Sequence, residues 1–178
     1  INIHHKNYII QDKIGNGKFG SVYQGYNVNT YAKVAIKVES CNSNYLTLKN
    51  EAKILRYLYD HKCREVPYIQ WYGNIDNHLV LVLPKYDCSL YELCKETDIC
   101  KSLIDHIMTK MLYTIQEIHK LYVVHRDIKP HHFMISNNHI VLIDFGISTF
   151  YVDENKNKIK NNRKDCIIGS TNYCSHFI

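Results

Sequence analysis

The sequence predicts an α+β fold in which a mainly antiparallel β region is followed by a helical region. Two observations support this prediction. Short segments rich in β-branched and aromatic residues, separated by glycine- or asparagine-containing turns, run through the first half of the chain. One long amphipathic segment follows in the second half. The chain has 178 residues, which is enough for one domain with a buried core.

The β region is predicted to be a meander interrupted by one helix. Its predicted strands lie at 8–14, 21–26, 34–39, 69–75 and 79–83. The helix is predicted over 45–59 because apolar residues recur there at helical spacing. These residues are Leu48, Ala52, Leu55 and Tyr59. Glu51 lies inside this apolar stripe, and a carboxylate in that position requires a cationic partner.

The helical region is predicted to begin with an amphipathic helix over 103–121. Its apolar stripe is expected to pack in the core and consists of Leu103, Ile104, Ile107, Met108, Met111, Ile115 and Ile118. Two short strands are predicted at 133–136 and 140–143, on either side of the turn Asn137-Asn138. The polar segment 151–166 is predicted to be a loop.

Composition and charge argue against several classes of function. No apolar run of about 18 residues is present, and the first residues lack the apolar core of a secretory signal, so no membrane partner is expected. The net charge is +5. The densest basic stretch, 156–164, has no interleaved aromatic residues, which favours a solvated loop over a nucleic-acid surface.

The seven cysteines form no C-x-x-C pair, which argues against a zinc ribbon or a thioredoxin motif. We expect reduced thiols in a reducing compartment inside the cell. That compartment would be the cytoplasm, or the host cytoplasm if the protein is viral.

A glycine-rich segment joins the first two predicted strands. It consists of Gly15, Asn16, Gly17, Lys18, Phe19 and Gly20, and Val22 follows two residues later. In a dinucleotide-binding fold such glycines lie between a strand and a helix, so the position between two strands argues against that fold. Glycines between two strands let backbone N–H groups approach the oxygens of a triphosphate.

Three further motifs complete a pattern for phosphoryl transfer. Lys37 is the cation that Glu51 requires, and their ion pair would hold the ammonium group toward the α and β phosphates. In His125-Arg126-Asp127-Ile128-Lys129-Pro130, Asp127 would orient a hydroxyl and accept its proton, while Lys129 would neutralise the moving phosphoryl group. In Asp144-Phe145-Gly146, Asp144 would bind a magnesium ion that bridges the phosphates.

The chain resembles eukaryotic protein kinases along nearly all its length, and within them the casein kinase 1 group of serine/threonine kinases. The segments that carry this resemblance are Val34-Ala35-Ile36-Lys37, Asn50-Glu51-Ala52-Lys53-Ile54-Leu55, Val66-Pro67-Tyr68-Ile69-Gln70-Trp71-Tyr72-Gly73, Ser89-Leu90-Tyr91-Glu92-Leu93, Ile118-His119, Ile143-Asp144-Phe145-Gly146 and Gly169-Ser170-Thr171-Asn172-Tyr173-Cys174-Ser175. The resemblance implies a bilobal kinase domain over 1–178, with an N-lobe at 1–83, a hinge at 84–86 and a partial C-lobe at 87–178.

The same resemblance implies ATP and Mg²⁺ as cofactors and a protein hydroxyl of serine or threonine as the substrate. Leu83 falls at the gatekeeper position, and Pro84 and Tyr86 would offer a backbone C=O and N–H to adenine. The residues implied in nucleotide binding are Ile14, Gly15, Asn16, Gly17, Lys18, Phe19, Gly20, Val22, Ala35, Lys37, Glu51, Pro84, Tyr86 and Asp144.

Three features depart from the family pattern. His132 stands where the family has an asparagine that ligates a second magnesium ion, and imidazole prefers softer metals. Asn172 stands where an arginine usually receives acidic or phosphorylated groups, so that substrate preference is not carried over. The sequence ends at Ile178, where the family fold continues into large helices, so the C-lobe is expected to be truncated.

Two hypotheses follow from these features. The first is an active serine/threonine kinase. The second is a pseudokinase, a binding or scaffolding module that retains nucleotide but has little or no catalysis, which His132 and the short C-lobe motivate. A metal site made of histidines is a further alternative, with His125, His131, His132 and His139 as its members.

Overall fold

The computed structural model describes residues 7–17, 20–43, 46–96, 100–136, 139–159 and 168–174. It confirms the predicted α+β class: a five-stranded antiparallel sheet with one helix is followed by a partial helical region. The elements of the first part are β1 (Tyr8–Gly17), β2 (Gly20–Asn27), β3 (Lys33–Ser40), α1 (Thr47–Asp60), β4 (Trp71–Ile75) and β5 (His78–Pro84).

The sheet has the strand order β1-β2-β3-β5-β4, and every pair of neighbours is antiparallel. Because side chains alternate along a strand, the central strand β3 sends one set to each face. A small cluster on one face contains Tyr8, Val34, Ile36, Val38, Val80 and Val82. Lys37, between Ile36 and Val38, therefore faces the opposite side of the sheet, where α1 lies.

Helix α1 is capped by a side chain from the sheet rather than by its own N-cap residue. Leu46 occupies the N-cap position and makes no side-chain capping hydrogen bond. Glu39, which is 1% exposed, accepts hydrogen bonds from the backbone N–H of Thr47 at 3.1 Å and of Leu48 at 2.8 Å. A carboxylate at this end satisfies two free N–H groups and interacts favourably with the helix dipole. The start of α1 is thus tied to β3.

The second part contains two longer helices and several short strands. Its elements are β6 (Cys88–Ser89), α2 (Leu90–Glu96), α3 (Lys101–Lys120), β7 (Val123–Val124), β8 (Phe133–Ser136), β9 (His139–Leu142) and β10 (Thr149–Phe150). Two short 3₁₀ helices are formed by Pro130–His132 and Thr171–Tyr173. Strand β7 pairs with β10, and strand β8 pairs with both β6 and β9. Both ends of the segment 125–132 are therefore held in small sheets.

One apolar cluster joins the two parts. From the first part it takes buried residues of α1 and β5, and from the second part residues of α3, β7, β8 and β9. The side chains of Phe133 and Phe145 are fully buried in this cluster. Because aromatic side chains bury a large apolar area, these two contribute strongly to the contact between the parts.

The buried stripe of α3 is narrower than the sequence predicts. Ile107 and Ile118 are buried as expected, together with Thr114, whose hydroxyl donates to the backbone carbonyl of Lys110 at 3.0 Å. Three residues of the predicted stripe are instead between 43% and 49% exposed: Leu103, Ile104 and Met108. Helix α3 packs mainly on β7 and β9, so only one side of its apolar surface meets the core of the described residues.

Other predicted elements differ from the structure mainly at their ends. Strand β1 continues through the glycines to Gly17 instead of ending at 14, and α1 begins at Thr47 instead of 45. Tyr59, predicted in the buried stripe of α1, is 41% exposed, because Ile54 and Leu58 face the core instead. The turn Asn137-Asn138 lies outside the described residues.

Each cysteine among the described residues is free: Cys41, Cys63, Cys88, Cys94, Cys100 and Cys174. No described helix combines the length and apolar character needed to cross a membrane.

Replacing Glu39 with alanine should lower the free energy of unfolding by about 1–3 kcal/mol, because two buried N–H groups of α1 lose their acceptor. Urea denaturation followed by circular dichroism measures this change. Glu117→Ala is the matched control, since it removes a surface ion pair with Lys120 at 2.6 Å and should cost less than about 1 kcal/mol. Equal losses in the two variants would contradict the capping role.

Candidate active site

The predicted site residues meet in one cleft between the sheet and the second part. The cleft has a volume of about 860 Å³. The predicted residues that line it are Ile14, Gly20, Val22, Ala35, Lys37, Glu51, Leu83, Pro84, Tyr86, Asp127, Lys129, His132 and Asp144. Gly15, Asn16 and Gly17 lie in β1 and are not part of this lining. Lys18 and Phe19 fall outside the described residues.

The glycine-rich segment belongs to a hairpin of β1 and β2. Gly15 pairs with Val22, and Gly17 pairs with Gly20. A Cβ atom on Gly20 would clash with the backbone carbonyl of Val38 in β3. Glycine at position 20 therefore allows a close approach of two strands at the edge of the cleft.

The predicted ion pair between Lys37 and Glu51 is confirmed. The Nζ atom of Lys37 lies 2.7 Å from Oε1 and 2.9 Å from Oε2 of Glu51. It also lies 3.4 Å from Oδ1 of Asp144. Burial alone would lower the pKa of the Lys37 ammonium, but the two carboxylates outweigh it and raise that pKa. The ammonium group is thus charged and joins β3, α1 and the segment after β9.

Asn50 provides a second link between α1 and the segment that begins with Asp144. Its side-chain amide donates to the backbone carbonyls of Gly146 at 3.0 Å and Ser148 at 2.9 Å. Phe145, between these contacts and Asp144, is fully buried. The chain directly after Asp144 is therefore held by an anchored ring and by hydrogen bonds to α1.

Asp127 is held by two neighbours in the cleft. Its Oδ2 accepts a hydrogen bond from Lys129 Nζ at 2.9 Å, and its Oδ1 accepts one from the backbone N–H of Ser170 at 2.8 Å. The Ser170 hydroxyl also lies 2.8 Å from Lys129 Nζ. Burial acts to raise the pKa of the Asp127 carboxyl, but the bonds from Lys129 and Ser170 lower it below its usual value. Asp127 is consequently an ionised carboxylate.

The residue that sequence reasoning missed is Ser170. Its place beside Asp127 depends on Gly169, which has a φ of +102° and lies so close to the Arg126 carbonyl that a Cβ atom would clash. Only glycine adopts this conformation without strain. The Gly169-Ser170 pair lies in the segment 169–175 that carries the family resemblance, but its contact with Asp127 joins residues 43 positions apart.

His125 connects the segment 125–130 to the segment that precedes Asp144. Its Nε2–H donates to the carbonyl of Ile143 at 2.9 Å, and its Nδ1 accepts from the backbone N–H of Asp127 at 3.2 Å. This pattern requires a neutral imidazole with the proton on Nε2. Burial lowers the pKa of His125 to about 4, which agrees with a neutral ring that holds two loops together.

His132 faces both aspartates. Its Nδ1–H donates to the backbone carbonyl of Asp127 at 2.9 Å, and its Nε2 lies 3.1 Å from Oδ2 of Asp144. One side-chain ligand atom from each of Asp127, His132 and Asp144 lies within 4.8 Å of the others. Among the described residues, the four-histidine alternative is not assembled: His131 is exposed and stacks on Tyr91, and His139 is exposed on β9.

A family model described as a protein kinase domain matches residues 8–176. The chain belongs to the protein kinase domain family. Members of this family generally transfer phosphate from ATP to proteins and use Mg²⁺. The ion pair between β3 and α1 in this kinase domain is one of the contacts that such a site requires.

The cleft of the kinase domain fits a nucleotide and a divalent cation. Its volume lies in the range usual for small-molecule sites, about 300–1,000 Å³. Apolar side chains of Ile14, Val22 and Leu83 line it together with the cations Lys37 and Lys129, so that it offers surfaces for both a base and phosphates. The Oδ2 atom of Asp144 and the Nε2 atom of His132 are donors that can hold a metal ion.

Replacing His125 with glutamine should remove part of the acid sensitivity of the domain. Because the pKa of His125 is about 4 in the folded protein and ordinarily 6.5, the unfolded chain binds the proton more readily. The stabilisation that the neutral His125 ring gives to the folded protein is complete above about pH 6.5 and is lost as the pH falls toward about 4. Between pH 7 and pH 5 the wild type should lose on the order of 2 kcal/mol more than the variant.

Urea denaturation at the two pH values, with a chelator present, measures this difference. His131→Gln is the control, because His131 is exposed and its replacement should leave the pH dependence unchanged. If the wild type and His125→Gln lose the same stability between pH 7 and pH 5, the assignment of His125 as a buried neutral imidazole is wrong.

Proposed function

We propose that the protein is an ATP-dependent serine/threonine kinase that resembles the casein kinase 1 group. It transfers the γ-phosphate of ATP to a hydroxyl group of a protein. The observation that carries this proposal is the convergence of Lys37, Asp127, Lys129 and Asp144 on one cleft, with the Lys37–Glu51 ion pair already formed. In-line phosphoryl transfer depends mainly on positioning and charge neutralisation, which these groups provide.

Asp127 is the residue that we assign to the hydroxyl of the substrate. Its carboxylate orients that hydroxyl and accepts its proton as the oxygen forms a bond to the γ-phosphorus and the bond to the bridging oxygen of ADP breaks. Lys129 neutralises charge on the transferred group. Lys37 holds the α and β phosphates, and the pairing with Glu51 keeps its ammonium group in place. Asp144 would hold the magnesium ion, which would supply further positive charge near the phosphates.

The opposite end of the cleft is assigned to adenine. Pro84 C=O and Tyr86 N–H are the backbone groups proposed to bind its edge, and Ile14, Val22 and Ala35 enclose the ring. All five line the same cavity as Lys37 and Asp144. Apolar walls with a few backbone hydrogen-bonding groups are typical of such sites. Gly15, Asn16, Gly17, Lys18, Phe19 and Gly20 are proposed to cover the phosphates.

The serine/threonine specificity and the casein kinase 1 likeness rest on the sequence resemblance. Ser170, which belongs to the resembling segment 169–175, contacts both Asp127 and Lys129. The free thiols of the described cysteines and the use of ATP support an intracellular, cytoplasmic place of action.

A second candidate is a pseudokinase that binds nucleotide without efficient transfer. The position of His132 favours it, because its Nε2 atom is 3.1 Å from Oδ2 of Asp144, the residue proposed to hold the magnesium ion. His132→Asn discriminates between the two candidates. If the wild type lacks magnesium-dependent transfer and the variant gains it, the pseudokinase is supported; if the wild type is fully active and the variant gains nothing, it is not.

Replacing Asp127 with asparagine should reduce phosphate transfer by at least about 10²-fold, because the variant cannot accept the hydroxyl proton. The measurement is transfer of radiolabelled γ-phosphate from ATP to a mixture of serine- and threonine-containing peptides, with tyrosine-only peptides for comparison. Thermal unfolding with and without ATP shows in parallel whether nucleotide binding survives.

Asp105→Asn is the control, since Asp105 is an exposed residue of α3 and the chemical change is the same. It should transfer phosphate as the wild type does. A folded, ATP-binding wild type without transfer above that of Asp127→Asn would refute the proposed activity, and phosphate found mainly on tyrosine would refute the specificity.

A further inference from the structure

We propose that Asp144 Oδ2 and His132 Nε2 form a mixed oxygen–nitrogen site that prefers first-row transition-metal ions, such as Mn²⁺ and Co²⁺, over Mg²⁺. The inference deepens the proposed function, because the ion would lie where the phosphates are expected. It concerns binding, however, and a metal titration tests it without any phosphate transfer.

The distance between the two donor atoms matches that of neighbouring ligands on one metal ion. Bonds from such ions to imidazole nitrogen and carboxylate oxygen are about 2.0–2.2 Å long. Two ligands in adjacent positions of an octahedral or tetrahedral ion are therefore separated by roughly 2.8–3.6 Å, by the geometry of those bonds. The Nε2 and Oδ2 atoms lie 3.1 Å apart, a separation at which one ion can replace their direct contact and bind both.

The imidazole of His132 is oriented as metal-bound histidines usually are. Its Nδ1–H donates to the backbone carbonyl of Asp127 at 2.9 Å, which leaves Nε2 directed at Asp144 Oδ2, where an ion that binds both atoms would take it as a ligand. The ring is buried, and the backbone is held on both sides. The N–H of His132 donates to the Lys129 carbonyl, and its own carbonyl accepts from the N–H of Ile143, both at 2.9 Å.

The oxygen atoms nearby are already divided among other partners. Oδ1 of Asp144 faces Lys37 at 3.4 Å, which leaves Oδ2 for His132 and the ion. Both oxygens of Asp127 accept hydrogen bonds, one from Lys129 and one from Ser170. The pair of atoms that an ion would bridge is therefore one carboxylate oxygen and one imidazole nitrogen, which face each other at 3.1 Å, rather than the set of oxygens that magnesium prefers.

The chemistry of this donor pair determines the expected selectivity. Magnesium binds hard oxygen ligands and loses water reluctantly, so an imidazole nitrogen adds little to its affinity. Transition-metal ions gain from a nitrogen ligand, and their affinity increases from Mn²⁺ to Co²⁺ in the usual order. A histidine in place of an oxygen ligand should consequently shift the preference of the site away from Mg²⁺.

The test uses the whole chain without nucleotide. Isothermal titrations with Co²⁺ and with Mg²⁺ give the affinities, and pulsed electron paramagnetic resonance of bound Mn²⁺ detects a ¹⁴N nucleus in the metal's coordination sphere. We expect Co²⁺ to bind at least tenfold more tightly than Mg²⁺, and the Mn²⁺ signal to show imidazole coupling. His132→Asn should lose at least tenfold in Co²⁺ affinity, change Mg²⁺ affinity less than threefold, and lose the ¹⁴N coupling.

His131→Asn is the matched control, because this neighbouring histidine is exposed and stacks on Tyr91 at 3.8 Å. This variant should leave the affinities for both metals and the ¹⁴N coupling unchanged. Absence of ¹⁴N coupling in the wild type overturns the proposal without any variant. Coupling that survives in His132→Asn, or that disappears in His131→Asn, also overturns it.

The result is separable from that of the transfer assay. Nitrogen coupling that depends on His132, in a protein that transfers no phosphate, would support the metal site and refute the proposed activity. Phosphate transfer that is lost in Asp127→Asn, in a protein whose bound Mn²⁺ shows no nitrogen coupling, would support the proposed activity and refute the metal site.

Discussion

The structure depends on the pairing of one buried cation with two carboxylates. Lys37, Glu51 and Asp144 come from β3, α1 and the segment after β9, and the buried charges of Lys37 and Glu51 require each other. An ion pair of this kind is a poor source of net stability, because desolvation offsets most of the attraction. It is effective in specifying geometry, since only one arrangement of the three elements brings the charges together.

Part of this arrangement could be predicted from the sequence. Glu51 in an apolar stripe indicated a buried carboxylate that needs a cation, and the pattern for phosphate binding indicated Lys37 as that cation. The order of motifs then predicted the kinase fold. The exposed residues of α3, Leu103 among them, could not be predicted, because periodicity shows that a face is apolar but not which neighbouring elements cover it.

The contacts that sequence reasoning missed join residues distant in the chain. Glu39 caps a helix that begins eight residues later, and Ser170 reaches Asp127 only because Gly169 adopts a left-handed conformation. Neither residue belongs to a local pattern that indicates its partner. His132 differs from these two residues, because the sequence alone shows that it departs from the family pattern. The partner of each of its ring nitrogens, however, is seen only in the folded structure.

The capping of α1 by Glu39 has a consequence for small molecules that would bind the cleft. A compound that fits only when α1 swings outward must break the hydrogen bonds from Thr47 and Leu48 as well as the ion pair of Glu51. The cap alone adds about 1–3 kcal/mol to that movement, which weakens the apparent affinity by roughly 5- to 150-fold. Compounds that accept α1 in place avoid this cost, so selection among ligands would favour them.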